Sequence, residues 1–300
     1  MYPQYPYFGI KEKCEAVPIT FPPQCQSRQP GLEYLLVPRP ISENPQSLGS
    51  DKLRGRVAII TGGDSGIGRA VAYAFAKEGA NIAIAYYDEH YDAEETRERI
   101  NELGQHCILL PGDLRNECQA YLVVEETMRS FGRLDILVNN HGIQFTQQTI
   151  LDISAEQLDA TFRTNVFAFF YMIKAALPYM CPHSSIINTA SVTAYQGQKD
   201  LIDYSSTKGA IVSLTRSLSL SLEQEHIRVN AVAPGPIWTP LNPSAGYPAE
   251  YIETFGTNTP MKRAGQPFEV APAYVYLASD DSRYVSGQVI HVNGGIITES

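Results

Sequence analysis

The chain reads as a doubly wound α/β fold built on a parallel sheet, and three observations carry that reading. From residue 55 onward, short apolar runs alternate with amphipathic or charged segments. The runs, such as Val57-Ala58-Ile59-Ile60, are apolar throughout rather than at every second residue. A strand needs that pattern only when both of its faces are covered. A glycine-rich turn, Thr61-Gly62-Gly63-Asp64-Ser65-Gly66-Ile67-Gly68, joins the first run to the first helical segment.

In order, residues 56–61 form a buried-type strand and 67–78 a helix that stops at Gly79. Strand 81–86 precedes a charged helix over 92–103 that ends at Gly104. Strand 107–111 is followed by helix 117–131, with Gly132 just beyond it, and by strand 136–140. Glycine directly after a periodic segment is a stop signal, because it adopts the left-handed conformation that ends helices. A long helix near 155–180, strand 185–189, helix 204–223, strand 227–233, helix 267–278 and strand 289–292 complete the pattern. Strands alternating with helices predict a parallel doubly wound sheet. No internal repeat is visible.

The first fifty residues differ. They hold nine of the chain's 20 prolines, among them Pro22-Pro23, Pro38, Pro40 and Pro45. Proline fixes φ and removes a backbone donor, so neither a regular helix nor a central strand fits. Residues 1–50 are therefore an extended arm, and 51–300 a Rossmann-type domain. Tyr2, Tyr5, Tyr7 and Phe8, then Leu32, Tyr34, Leu35 and Leu36, argue against simple disorder. Residues 30–48 are expected to lie on the domain or on a neighbouring subunit; a flexible tail is the alternative.

A hydrophobic content of 44% and a charged content of 18% are ordinary for a globular protein. The net charge of −9 argues against nucleic acid as a partner, since phosphate binding rests on Lys and Arg. The 5 cysteines are scattered, with no metal-ligand spacing, so neither a metal nor a disulfide framework is expected. Cys107 and Cys181 are expected to be buried and inert. No apolar run approaches a membrane span, and no secretory signal is seen, so the cytoplasm is the expected location.

Glycine serves where backbone turns tightly or must approach a phosphate, and a helix N-terminus offers free N–H groups and a positive dipole end. Gly62, Ser65, Gly66, Ile67 and Gly68 are thus the candidate pyrophosphate cradle of a dinucleotide. Three glycines alone also fit a plain turn; the position in a βαβ unit is what strengthens them. The end of the second strand is where an adenosine ribose is read, and a carboxylate there accepts from both hydroxyls and repels a 2′-phosphate. Tyr86 stands at that place and Asp88 two residues on, with no cation close behind. Arg69 is the cation that could meet a 2′-phosphate. The local charge leans to NAD and leaves NADP open. Asp113, followed by Leu114, is the candidate for the adenine amino group, or else a helix cap. Asn140 and Gly142 end the fourth strand at the sheet's carboxyl edge.

Tyr204 and Lys208 stand four residues apart, on one helical face, and Ser191 lies thirteen residues upstream. A phenol with pKa ~10 is a poor base at neutral pH. A nearby ammonium and an oxidised nicotinamide both favour the phenolate. Tyr204 is therefore the candidate acid/base, Lys208 its electrostatic partner, and Ser191 a donor to the reacting oxygen. Each has a plain structural alternative; the set together with the glycine turn points to chemistry.

With Asn139-Asn140-His141-Gly142, Asn165 and Pro234-Gly235, these motifs resemble the short-chain dehydrogenase/reductases of the compact single-domain branch, over about residues 54–295. The glycine-turn wording, Ala-Pro-Gly-Pro-Ile-Trp-Thr-Pro-Leu and the proline-rich arm are similar to the subgroup of aldehyde or glucose/ribitol-type oxidoreductases. The glycine spacing differs from that of the branch containing epimerases and dehydratases. The resemblance implies an NAD(P)-dependent enzyme that interconverts a small-molecule alcohol and carbonyl. It implies that Tyr204 is the general acid/base and that Lys208 contacts the nicotinamide ribose. Asn165 is implied to hold a water in the proton relay. Pro234, Gly235, Ile237 and Thr239 are implied to meet the nicotinamide, the last two at its carboxamide. Residues 238–263 are read as the substrate loop, with Gln144, Tyr195 and Trp238 as pocket walls. A homotetramer is implied, with contacts through the 204–223 helix and the 286–295 strand. His141 departs from the family, which usually has alanine there; it is expected to pack near the cofactor. The alternative reading is a catalytically silent dinucleotide-binding sensor or scaffold.

Overall fold

The computed structural model describes residues 10–11 and 17–298; Tyr2, Tyr5, Tyr7, Phe8 and Cys14 lie outside them. Two short antiparallel strands, β1 (Ile10–Lys11) and β2 (Val17–Pro18), precede the domain. Then come β3 (Val57–Thr61), α1 (Gly66–Lys77), β4 (Asn81–Tyr86), α2 (His90–Glu102), β5 (Cys107–Pro111), α3 (Glu117–Phe131) and β6 (Leu134–Asn139). The second half contains α4 (Ala155–Phe162), α5 (Ala168–Ala176), β7 (Met180–Thr189), α6 (Thr193–Gln196), α7 (Ile202–Ser221), β8 (Arg228–Pro234), α8 (Pro267–Ala278) and β9 (Val289–Val292).

Seven parallel strands lie in the order β5-β4-β3-β6-β7-β8-β9. The chain runs outward from β3 to β5, crosses to β6 and runs outward again to β9. The strand order therefore reverses between β3 and β6, which opens a crevice at their carboxyl ends, where α/β proteins bind ligands. Ile59 pairs with Ala83 on one side and Leu137 on the other, so β3 is central. Ile60, Ile82 and Ile84 pack with Phe75, Tyr274 and Leu277 under α1 and α8. Ile59, Leu137 and Ile186 pack with Val123, Val124 and Met172 under α3 and α5. Adjacent residues of one strand thus enter opposite cores, which is why the runs are apolar without alternation.

Three elements differ from the sequence expectation. The helix expected near 155–180 is divided by a π turn at Arg163–Phe167 and ends in a 3-10 turn at Leu177–Tyr179. β7 begins at Met180, five residues early, because Leu134 of β6 pairs with Met180 before a register shift. Helix α6 is too short to leave a periodic signature. Cys181, expected to be buried, is exposed, while burial pushes the half-buried Cys107 thiol up to about 12 and keeps it inert.

Among the described residues the arm is packed against the domain. The Phe21 ring, 1% exposed, stacks on Trp238 with centroids 4.1 Å apart. Trp238 Nε1 donates to the Pro38 carbonyl at 2.9 Å. Ile41 N donates to Gln266 Oε1 at 2.9 Å, and Phe268 N to the Ile41 carbonyl at 3.1 Å. Gln29 Nε2 donates to the carbonyls of Gln144 and Ser244, tying the chain after β6 to the 238–263 segment. Glu33, 1% exposed, accepts from Gly66 N at 2.6 Å and pairs with Arg69 Nη1 at 2.8 Å. Phe21→Ala is expected to lower the unfolding free energy by about 3 kcal/mol. Leu48→Ala, on the same arm but 88% exposed, should change it by less than about 0.5 kcal/mol. Urea titration of both variants checks this, and equal effects would mean that the arm is not part of the core.

Candidate active site

The crevice is a cleft of ≈ 470 Å³ at the carboxyl edge of the sheet. Gly62, Ser65, Gly66 and Ile67 line its middle. Gly62 and Gly66 hold φ of +64° and +52°, which side chains resist, and a Cβ on Gly66 would press Thr239 at 3.1 Å. Gly68 does not reach the cleft. A Cβ there would stand 1.9 Å from the Gly62 carbonyl oxygen, so this glycine lets α1 close onto the turn.

At one end lie Tyr86, Asp113 and Leu114, as the sequence indicated, together with Asp64 and Glu89, which it did not. The Tyr86 hydroxyl is bonded to His90 Nδ1 at 2.9 Å. Asp88 stands outside the lining, 45% exposed at its side chain and paired with Arg28 of the arm. Arg69 does not face a 2′-phosphate position; it is buried among Glu33, Asp92 and Glu95. Asp113 is gripped by Arg115 at 2.7–2.9 Å, and that hydrogen bonding holds its carboxyl below the usual range.

At the other end Ser191, Tyr204 and Lys208 line the cleft with Asn140, Gly142, Pro234, Gly235, Ile237 and Thr239. Helix α7 places Tyr204 and Lys208 one turn apart, with Nζ 5.5 Å from the phenol ring centre. Lys208 Nζ donates to the Thr189 carbonyl at 2.8 Å. Burial alone lowers the Lys208 ammonium to about 7. Burial raises the Tyr204 phenol to about 12, against a smaller lowering by the Ser191 hydroxyl. In this structure burial, and not the neighbouring ammonium, governs the phenol.

Asn165 lies in the π turn, fully buried behind Gly142 rather than in the cleft. Its Oδ1 accepts from Ile143 N at 2.9 Å, and its Nδ2 donates to the Ile143 carbonyl at 2.8 Å and Thr207 Oγ1 at 3.2 Å. The amide thus positions the strand end rather than pointing at substrate. His141 lines the cleft between the same elements: Nε2 meets the Thr164 carbonyl at 3.0 Å and Nδ1 the Thr61 hydroxyl at 2.7 Å. A carbonyl only accepts, so Nε2 carries the proton and Nδ1 accepts from Thr61. Two expected walls are elsewhere. Trp238 is wholly buried against the arm, and Tyr195 packs edge-on to His291 at 4.6 Å. Gln144 does line the cleft, and Tyr247, Tyr251 and Phe255 complete that wall.

A dinucleotide fits this arrangement: a glycine cradle where a Cβ would intrude, a helix N-terminus beside it, and buried acceptors at one end. Among the described residues no group of three His, Cys, Asp or Glu could hold a metal, and no helix is long and apolar enough to cross a membrane.

Comparison with known proteins agrees in kind. A family profile described as Enoyl-(Acyl carrier protein) reductase matches residues 62–297. The chain is 60% identical to an uncharacterized oxidoreductase of Bacillus subtilis over 273 residues, 91% of this chain and 94% of that one. It is 50% identical to a glucose and ribitol dehydrogenase of Daucus carota, over 92% of this chain and 97% of that one. It is 49% identical to the chloroplastic NADPH-dependent aldehyde reductase 1 of Arabidopsis thaliana, over 92% and 98%. A short-chain dehydrogenase of Burkholderia cenocepacia, solved with NADP, superposes with a TM-score of 0.76 at 29% identity, over 81% of this chain and 98% of that one. One of Mycobacterium paratuberculosis, solved with NAD, does so with a TM-score of 0.74 at 29% identity, over 81% and 98%. The fold and these matches define an oxidoreductase of the Rossmann type. The chain belongs to the short-chain dehydrogenase/reductase family.

Burial first, and then the charge of Lys208, lower the His141 imidazole to about 4. Its folded pKa lies below the unfolded value of ~6.5. The stability it contributes is therefore complete above that value and is lost as pH falls toward 4. His141→Ala is expected to lower stability at neutral pH and to flatten this part of the profile. Denaturant melts of both proteins across this range check it; parallel profiles would mean that the imidazole titrates alike in the folded and unfolded states.

Proposed function

We propose that the protein is an NAD(P)-dependent oxidoreductase that interconverts an alcohol and a carbonyl, with Tyr204 as general acid/base. The observation that carries this is the meeting of buried Tyr204, Ser191 and Lys208 at the end of a cleft whose middle is the glycine turn. The nicotinamide, when bound, supplies or accepts hydride. Tyr204 enters the reduction direction neutral, so its hydroxyl is ready to give a proton to a carbonyl oxygen beside it. Ser191 donates to the same oxygen as charge develops there. Lys208, fixed by Thr189, supplies the positive charge that makes the phenolate accessible in the oxidation direction. Asn165 and His141 hold the strand end against α7 so that these groups keep their spacing.

The substrate half of the cleft has an aromatic wall, in which Tyr247 and Tyr251 stack at 3.9 Å, and neutral amides at Gln144, Gln196, Gln198 and Asn258. Lys208 apart, no charged side chain among the described residues lines that half. This supports an uncharged aldehyde, sugar or polyol, in accord with the names of the Daucus and Arabidopsis relatives. We further propose a homotetramer built on α7 and the C-terminal strand, working in the cytoplasm, its assembly checked by sedimentation equilibrium.

The test is nicotinamide absorbance with oxidised and reduced NAD and NADP against aldehydes, ketones, sugars and polyols. Tyr204→Phe should lower kcat/KM by about 10²–10⁴-fold and leave dinucleotide affinity unchanged. Undiminished turnover would move the proton to another residue. Tight dinucleotide binding with no turnover on any substrate would favour the silent sensor.

A further inference from the structure

We propose that the arm segment 27–31 is a strap across the dinucleotide crevice, latched by the amide of Gln29, and that it must unlatch each time a dinucleotide enters or leaves. The strap rests on the cofactor site described above and adds a gate to it.

The strand order puts β3 and its glycine turn between β4 and β6. Arg28 pairs with Asp88, just after β4, and its Nη2 stands 3.7 Å from Glu89 Oε1. The next residue, Gln29, bonds to Gln144 in the chain after β6. Two consecutive arm residues therefore reach both sides of the crevice in which folds of this kind bind ligands. Gln29, Pro30 and Gly31 line the cleft between those sides.

The Gln29 amide is fully engaged there. Its Oε1 accepts from Gln144 N at 3.2 Å. Its Nε2 donates to the Gln144 carbonyl and, at 2.9 Å, to the Ser244 carbonyl. One side chain thus answers both backbone groups of Gln144 and spends its second N–H on the opposite segment. A carboxylate, which only accepts, or an ammonium, which only donates, would serve part of this set. Gly31 seats the far end of the strap, since a Cβ there would stand 2.6 Å from the Pro240 carbonyl oxygen.

The strap is closed at its base. Gln26 Nε2 donates to the Leu32 carbonyl at 2.8 Å, and Gln26 Oε1 accepts from Leu32 N at 2.7 Å. Gln26 N donates to the Pro243 carbonyl at 2.8 Å, and Phe21 on Trp238 anchors the arm before it. Beyond this base, among the described residues, the strap's hydrogen bonds and ion pairs to the domain are those of Arg28 and Gln29. The Arg28 pair is half-exposed and weak, which leaves Gln29 as the main hold. A few net hydrogen bonds give way far more readily than the core that anchors them. Latch bonds that are alike with and without dinucleotide cancel from its affinity but remain in both of its rates.

Stopped-flow binding and displacement of NADH and NADPH, read by nicotinamide fluorescence, tests this on the full-length protein and on Gln29→Met, Gly31→Ala and Leu48→Ala. Gln29→Met nearly keeps the shape and removes the three amide bonds. It should raise the association and dissociation rate constants each about tenfold, so that Kd moves by less than either. Gly31→Ala leaves the amide in place but forces the strap off Pro240, and should raise both rates as well. Leu48→Ala, exposed on the same arm, should move neither. Faster dissociation with unchanged association would make Gln29 an ordinary contact and overturn the gate, as would rates unmoved in both strap variants. Binding of neither dinucleotide by the wild type would overturn the cofactor site itself, and the gate with it.

Discussion

One carboxylate joins the arm to the glycine turn and, through Arg69, to α2. Glu33 belongs to the arm, yet its oxygens meet the first N–H of α1 and the guanidinium of Arg69. A carboxylate at a helix N-terminus is favourable through the dipole, and here it is shielded from water on all sides. Arg69 in turn reaches Asp92 of α2, whose carboxylate accepts from Glu33 N at 2.7 Å and Tyr34 N at 3.0 Å. The arm, the glycine turn and α2 thus share a ring of charge-assisted bonds. Taking away one member leaves a buried charge without its partner, which is far more damaging than never having buried the pair.

The other end of the cleft follows a different logic. Tyr204 and Lys208 are buried on a helix, and each is pushed toward its neutral form, the phenol up and the ammonium down. Neither state suits proton abstraction from an alcohol. The Lys208 ammonium is held by the Thr189 carbonyl rather than by a carboxylate, so the field there is left to be set by what binds.

Much of this was legible in the sequence. The strands announced themselves because a doubly covered sheet admits only apolar residues, and the glycine stops after α1, α2 and α3 marked the helix ends. Ser191, Tyr204 and Lys208 were singled out by their mutual spacing, and the fold brings all three to the lining of one cleft. What escaped notice depends on packing between distant segments. Trp238 looked like a pocket wall until Phe21, more than two hundred residues away, proved to stack on it. Glu89 was passed over for Asp88 because sequence cannot tell which of two adjacent carboxyls turns inward. The arm's proline content argued against a regular helix or a central strand, but composition carries no record of the hydrogen bonds that Gln29 and Glu33 make.

The π turn at Arg163–Phe167 holds one more residue than a regular helix would place there, and the frame of everything after it is offset accordingly. Asn165 lies within this turn and is bonded to Ile143. Most substitutions in α4 would alter one contact and leave the frame intact. Loss of a single codon in this stretch would do the reverse. The chain would heal into a smoother and better-bonded helix, and each side chain on the shortened side would swing by about 100° relative to its old neighbours. A chain repaired in its hydrogen bonding would then have dismantled the support of its own site.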